Sequence, residues 1–143
     1  MRVFIPSVLA AIRSLSVQSS GIKTLTAGGA NIAALSLGLL VPGQIVFVSA
    51  TALVVKGATG GPTFFQLQKG AGLATLQWGA NLTVLNVGVP SHLAGTSWNA
   101  QVMAMGRVTV GGDYTLSFDG VSQGSDSTIA NGLATVDARI IVR

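Results

Sequence analysis

With 143 residues the chain has room for one domain and one core, and without cysteine it has neither a disulfide framework nor a thiol site. Only 8% of the residues are charged, eight Lys or Arg against four Asp and no Glu, while glycine numbers 19 and mean hydropathy is +0.64. Glu- and Lys-rich helices are thereby left out, and so few ionic groups suit an all-β domain with tight turns that lives in an assembly better than a solitary one.

Residues 1–20 read differently from the rest. Residues 1–11 loosely imitate a secretory signal, but Pro6 interrupts the apolar run and cleavage is not expected. Val8, Leu9, Ile12 and Leu15 fall at helical spacing behind Ser7 as an N-cap. Two readings stay open: a helical turn packed on its own domain, or an arm that reaches a neighbouring subunit. The β-domain is expected to occupy residues 21–143.

Strand signals then recur. Residues 22–26 form a short strand turned by Gly28-Gly29, and residues 31–40 follow with Leu35, Leu37 and Leu39 on one face and Ser36 and Gly38 on the other. Pro42-Gly43 makes a type II turn, with proline setting φ and glycine permitting φ above zero. Residues 45–56 are apolar on both faces, so the strand needs two covers: the opposite sheet, and a loop, the N-terminal segment or another subunit. The span between Lys23 and Lys56 carries no charge, yet Asn31, Ser36, the turn, Ser49 and Thr51 split it into two strands. Each is well short of the roughly 20 apolar residues of a spanning helix, so no membrane segment is expected.

Residues 57–62 form a glycine-rich loop without the spacing or the Lys-Ser/Thr of a phosphate loop. Strands are expected at 63–69, 73–78 and 82–87, then a loop with the only histidine, His92. A long strand at 96–110 turns Trp98, Ala100, Val102 and Ala104 inward and Asn99, Gln101, Met103, Met105 and Arg107 outward. Gly111-Gly112 closes a hairpin in which Val108, Val110, Tyr114, Leu116 and Phe118 share the dry face, and period-two alternation resumes at 134–142. Eight to nine strands without an intervening helix predict an all-β fold, an antiparallel eight-stranded jelly-roll sandwich. An immunoglobulin-like sandwich is the rival, without the Cys, Trp and Cys spacing of antibody domains.

Chemistry-bearing residues are few. Asp113 and Asp119 stand at opposite ends of one strand, roughly 20 Å apart by strand rise, too far for a carboxylate dyad. Asp126 and Asp137 read as solvated carboxylates, and His92 has no partners for a metal site or a triad. Calcium held between Asp113 and Asp126 lacks the spacing of a known loop, and Asn81-Leu82-Thr83 is a chance-level glycosylation acceptor. No enzyme, cofactor or metal is expected. The basic residues Arg2, Arg13, Lys23, Lys56, Lys69, Arg107, Arg139 and Arg143 are scattered, so no nucleic-acid partner is expected either. Trp78 and Trp98 follow inward parity and read as core, a sugar platform being the alternative. Met103 and Met105, outward on a charge-poor strand, read as a subunit interface.

The run from 100 to 118, the closing run 134–142 and the entry 39–48 together resemble jelly-roll capsid cement or decoration proteins of tailed bacteriophages. The resemblance covers roughly residues 22–143 and rests on turn chemistry and strand pattern. It implies a homotrimer on the outside of a virion, bound to the major capsid protein; related domains occur in tail tips and fibres. Candidate contacts are Val8, Leu9, Ile12, Arg13, Met103, Met105 and Arg107. The alternative is a receptor- or glycan-binding module of a tail fibre, tail tip or spike.

Overall fold

The computed structural model describes residues 11–57, 63–69, 76–78, 84–89, 95, 97–124 and 126–142. Every element in them is a strand: β1 (Ala11–Gln18), β2 (Lys23–Leu25), β3 (Ala30–Leu40), β4 (Ile45–Lys56), β5 (Thr63–Lys69), β6 (Leu76–Trp78), β7 (Val84–Val89), β8 (Ser97–Val108), β9 (Gly112–Ser122), β10 (Ser127–Ile129) and β11 (Ala134–Val142). No helix among the described residues is long and apolar enough to cross a membrane.

Sheet A holds β6, β8, β4, then β11 with β10, then β1 with β2; sheet B runs β3-β9-β5-β7, and all pairings are antiparallel. β1 with β2 forms one broken row and β10 with β11 another, and β6 is an added edge. Eight rows then remain, ordered first-eighth-third-sixth in sheet A and second-seventh-fourth-fifth in sheet B. The chain passes from one sheet to the other at every step but one, which is the jelly-roll topology expected from the strand spacing.

The core lies between the sheets. Val46, Val48, Ala50, Ala52 and Val54 of β4 face Leu35 and Leu37 of β3, Phe65 and Leu67 of β5, and Leu116 and Phe118 of β9 in one cluster. Val136, Ala138 and Ile140 of β11 complete it, following the parity read from sequence. The turn at 41–44 is as expected: Gly43 has φ 91° and the Gln44 N–H donates to the Val41 carbonyl at 3.3 Å.

Four expectations need correction. Residues 11–18, placed with 1–10 in a helical turn or arm, form β1 and pair over their whole length with β11. The helical spacing of Ile12 and Leu15 yields to period-two alternation, in which Leu15 and Val17 pack against the core while Ser14, Ser16 and Gln18 lie open. The β-domain therefore begins by residue 11 rather than 21. Leu39 is 65% exposed instead of buried with Leu35 and Leu37. The register of β3 against β9 slips between Ser36 and Gly38, so Leu40 takes the inward place that alternation assigned to Leu39. Val110 is likewise exposed, because β8 stops at Val108 and the hairpin turn begins earlier than the pattern implied. Of the last two short strands before β8, Leu76–Trp78 falls within the expected 73–78, whereas Val84–Val89 runs two residues past the expected end at 87; residues 73–75 and 82–83 lie outside the described residues.

Gly38 sits at that slip with φ 68°. A side chain there meets only Arg13 Nη1, 3.5 Å from an added Cβ, so the cost of Gly38→Ala comes from backbone conformation. Substitution is expected to lower stability by about 1–2 kcal/mol, seen as a lower urea midpoint at unchanged slope.

Candidate functional site

The outer face of sheet A is set by pairing register. Ser14 stands opposite Arg139, Arg139 opposite Phe47, and Phe47 opposite Met105. One step along the strands, Ser16, Asp137, Ser49 and Met103 form the next row. Beyond the first of these rows lie Ile12, Ile141, Ile45 and Arg107, and beyond the second Gln18, Thr135, Thr51 and Gln101. Directly paired residues of an antiparallel sheet share a face, so these sixteen side chains form one surface.

That surface keeps large apolar groups in the open. Met103 is 67% exposed, Ile12 62%, Met105 50% and Phe47 41%. The outward side of β4, which its sequence required to be covered, has no cover among the described residues. Between Phe47 and Met103 on one side and β1 on the other, the sheet forms a trough of about 550 Å³. Ser14, Ser16 and Ser49 keep it shallowly lined, and Asp137 and Arg139 stand within it. Neither Asp137 nor Arg139 makes an ion pair or hydrogen bond with another described side chain.

The outer face of sheet B is different. Asn31 Nδ2 donates to Ser117 Oγ at 2.7 Å and to Asp119 Oδ1 at 2.9 Å, and Ser117 Oγ donates to Asp119 Oδ1 at 2.8 Å. Its polar groups satisfy one another. Asp119 is part of this surface network, and Asp113 pairs in register with Leu39 at the far end of β3. Among the described residues no three His, Cys, Asp or Glu converge as metal ligands would.

Of the candidate contacts, the structure brings Ile12, Met103, Met105 and Arg107 together on the sheet A face. Arg13 points elsewhere: its Nη2 donates to the Leu37 carbonyl at 2.7 Å and lies 3.5 Å from that of Leu39, joining the edges of the two sheets. Val8, Leu9 and His92 lie outside the described residues, as do the side chains of Trp78 and Trp98. The sequence reading missed Phe47, Asp137 and Arg139 as members of the face: alternation turned Asp137 and Arg139 away from Val136 and Ala138, but β4 was apolar on both sides and only register sets Phe47 beside them.

It also missed Lys56. Its side chain is 1% exposed, and Nζ donates to Ser122 Oγ and to the Gln123 carbonyl, both at 2.9 Å. Ser122 Oγ lies 2.8 Å from Ser127 Oγ and 3.2 Å from Thr63 Oγ1, so four elements from both sheets meet in one buried polar knot. Loss of hydration lowers the Lys56 pKa from 10.5, and the charge of Asp126 opposes this. An amine beside a serine is the kernel of an activated nucleophile, but Ser122 is 1% exposed and Thr63 and Ser127 are fully buried. The knot fastens the sheets together.

No family model matches the chain, and no curated protein is significantly similar to it. Solved structures do match. A structure of the infectious bursal disease virus Gx strain aligns at TM-score 0.50 and 12% identity, over 92% of this chain and 33% of that one. The D431N mutant VP2 protein of the same virus, in derived T=1 particles, aligns at 0.46 and 11% over 92% and 36%. A C-terminal CBM6 domain of LamC, a laminarinase from Zobellia galactanivorans, gives 0.37 and 16% over 88% and 98%. The chain spans about a third of the length of the viral chains it matches. At such identities the likeness is one of architecture, and it agrees with the strand order: this chain folds as the two-sheet jelly roll found in the virus structure.

Proposed function

We propose that the protein is a non-enzymatic viral structural protein that works by binding other protein surfaces through the outer face of sheet A. One observation carries this: Phe47, Met103 and Met105 stand exposed on a face where the sequence demands cover, while on the opposite outer face Asn31, Ser117 and Asp119 bond to one another. The likeness of fold to a virus structure supports the same reading. In its finer form the protein is a capsid cement or decoration protein of a tailed bacteriophage. It sits as a trimer on the outside of the shell and clamps major capsid subunits.

Met103→Glu with Met105→Glu places two charges on exposed strand positions. Binding to shells lacking the protein is expected to fall at least about tenfold, with the unfolding temperature nearly unchanged. Undiminished binding by the variant, or a wild-type chain that ignores such shells, would remove the proposal.

A second reading has the trough for its support. One aromatic ring, three serines and an Asp-Arg pair around a shallow depression suit a saccharide, as a receptor-binding module of a tail fibre, tail tip or spike would need. Glycan binding abolished by Phe47→Ala, without shell affinity, would favour it.

A further inference from the structure

The same face is complementary to itself. Asp137 and Arg139 are neighbours on one side of β11, Ser49 and Phe47 on β4, and Met103 and Met105 on β8, each pair spanning the same two rows. A two-fold axis laid across the strands, midway between these rows, carries each residue onto the other member of its pair. Two copies packed face to face about that axis set Asp137 against the Arg139 of a second copy, twice. They set Phe47 over the small Ser49 and its trough, and Met105 against Met103. Charge, size and apolarity all match under one operation, and aligned packing of two sheets about 10 Å apart is an ordinary arrangement.

We propose that the outer face of sheet A is covered by the same face of a second copy, through a two-fold contact centred on Asp137 and Arg139. This rests on the reading of that face as the assembly surface, and it names another copy as the occupant. In a particle the contact joins neighbouring units, so charges at Met103 and Met105 weaken shell binding by undoing this pairing, and direct contacts with the shell or about a three-fold axis use other surfaces.

Charge reversal tests the symmetry as well as the contact. Asp137→Arg makes both cross-contacts Arg against Arg, and Arg139→Asp makes both Asp against Asp. Each single variant is expected to weaken self-association at least about tenfold in sedimentation equilibrium on the full chain. Mixing the two variants restores both pairs, as does Asp137→Arg with Arg139→Asp in one chain, and either should recover wild-type association. Ser49→Trp, which fills the seat of Phe47, should block association in every background. All these positions are surface positions of strands, and unchanged unfolding temperatures confirm the fold.

A wild-type chain that remains monomeric overturns the inference. So does association that survives both reversals, or a mixture that stays apart, which marks a contact other than this two-fold one. Shell binding is scored separately: loss of shell binding with intact, swap-rescued pairing counts against the cement reading alone. Retained shell binding with no pairing counts against the two-fold contact alone.

Discussion

Phe118→Ala is expected to cost about 3–5 kcal/mol of folding stability. Phe118 lies on β9, which pairs with both β3 and β5 and so occupies an inner position of sheet B. Its side chain is fully buried, and its ring centroid lies 5.9 Å from that of Phe65 at a 30° tilt. Truncation removes apolar burial, an aromatic contact and dispersion partners on all sides, and the two-sheet core can close only partly over the void. Against a total of about 7–20 kcal/mol for a domain of this size, the loss is severe without being certain to unfold the chain. Urea unfolding should show the drop as a lower midpoint at unchanged slope, and Phe118→Leu should cost about 1–2 kcal/mol. A change below about 1 kcal/mol for the alanine variant would mean that the sheets do not pack here as described.

Lys56 gives the second large effect, and it depends on pH. Lys56→Ala leaves a void at the end of the core and strips the Gln123 carbonyl of a donor, for an expected loss of about 2–5 kcal/mol. Lys56→Met keeps the stem and removes the charge; lost hydrogen bonds and relieved desolvation then oppose each other, leaving it within about 2 kcal/mol of wild type at pH 7. Burial lowers the folded pKa beneath 10.5. Between that lowered value and 10.5 the unfolded chain holds a proton that the folded chain has released, so wild-type stability rises with pH through this window. Below it both states are protonated and the Lys56 contribution is flat. Relative to wild type, Lys56→Met should lose the rise, as unfolding curves at stepped pH from 7 to 10.5 will show. A difference between the two proteins that does not change with pH would place the amine in water.

Where alternation was uninterrupted, sequence and structure coincide: β4, β5 and β11 begin and end where the pattern put them, and Ala134, Val136, Ala138 and Ile140 of β11 are buried as alternation implied. It failed where the pairing itself departs from regularity. The extra residue in β3 near Leu37 reverses which leucine faces inward, and nothing local announces it except Gly38. β1 was misread because Ile12 and Leu15 fit a helical period, whereas the pairing that makes these residues a strand is supplied by β11, more than a hundred residues away. Lys56 was legible in principle, since it continues the inward parity of Val46 to Val54; a charge at the end of a strand invites the opposite guess. Met103, Met105 and Arg107 were placed on the correct face by parity alone. Their neighbours Phe47, Asp137 and Arg139 come from other strands, and only register could seat them together.

The ladder between β1 and β11 ties Ala11 to Val142 and Gln18 to Thr135. During synthesis β1 thus waits for β11, more than a hundred residues downstream, to leave the ribosome, and until then β4 lacks one of its two lateral neighbours along most of its length. Closure entropy over so long an intervening segment makes folding slow and late, and for that interval the nascent chain holds out bare aliphatic strands. Rapid translation at high temperature should therefore drive it into inclusion bodies, and a chaperone that shields the emerging polypeptide should raise the soluble yield.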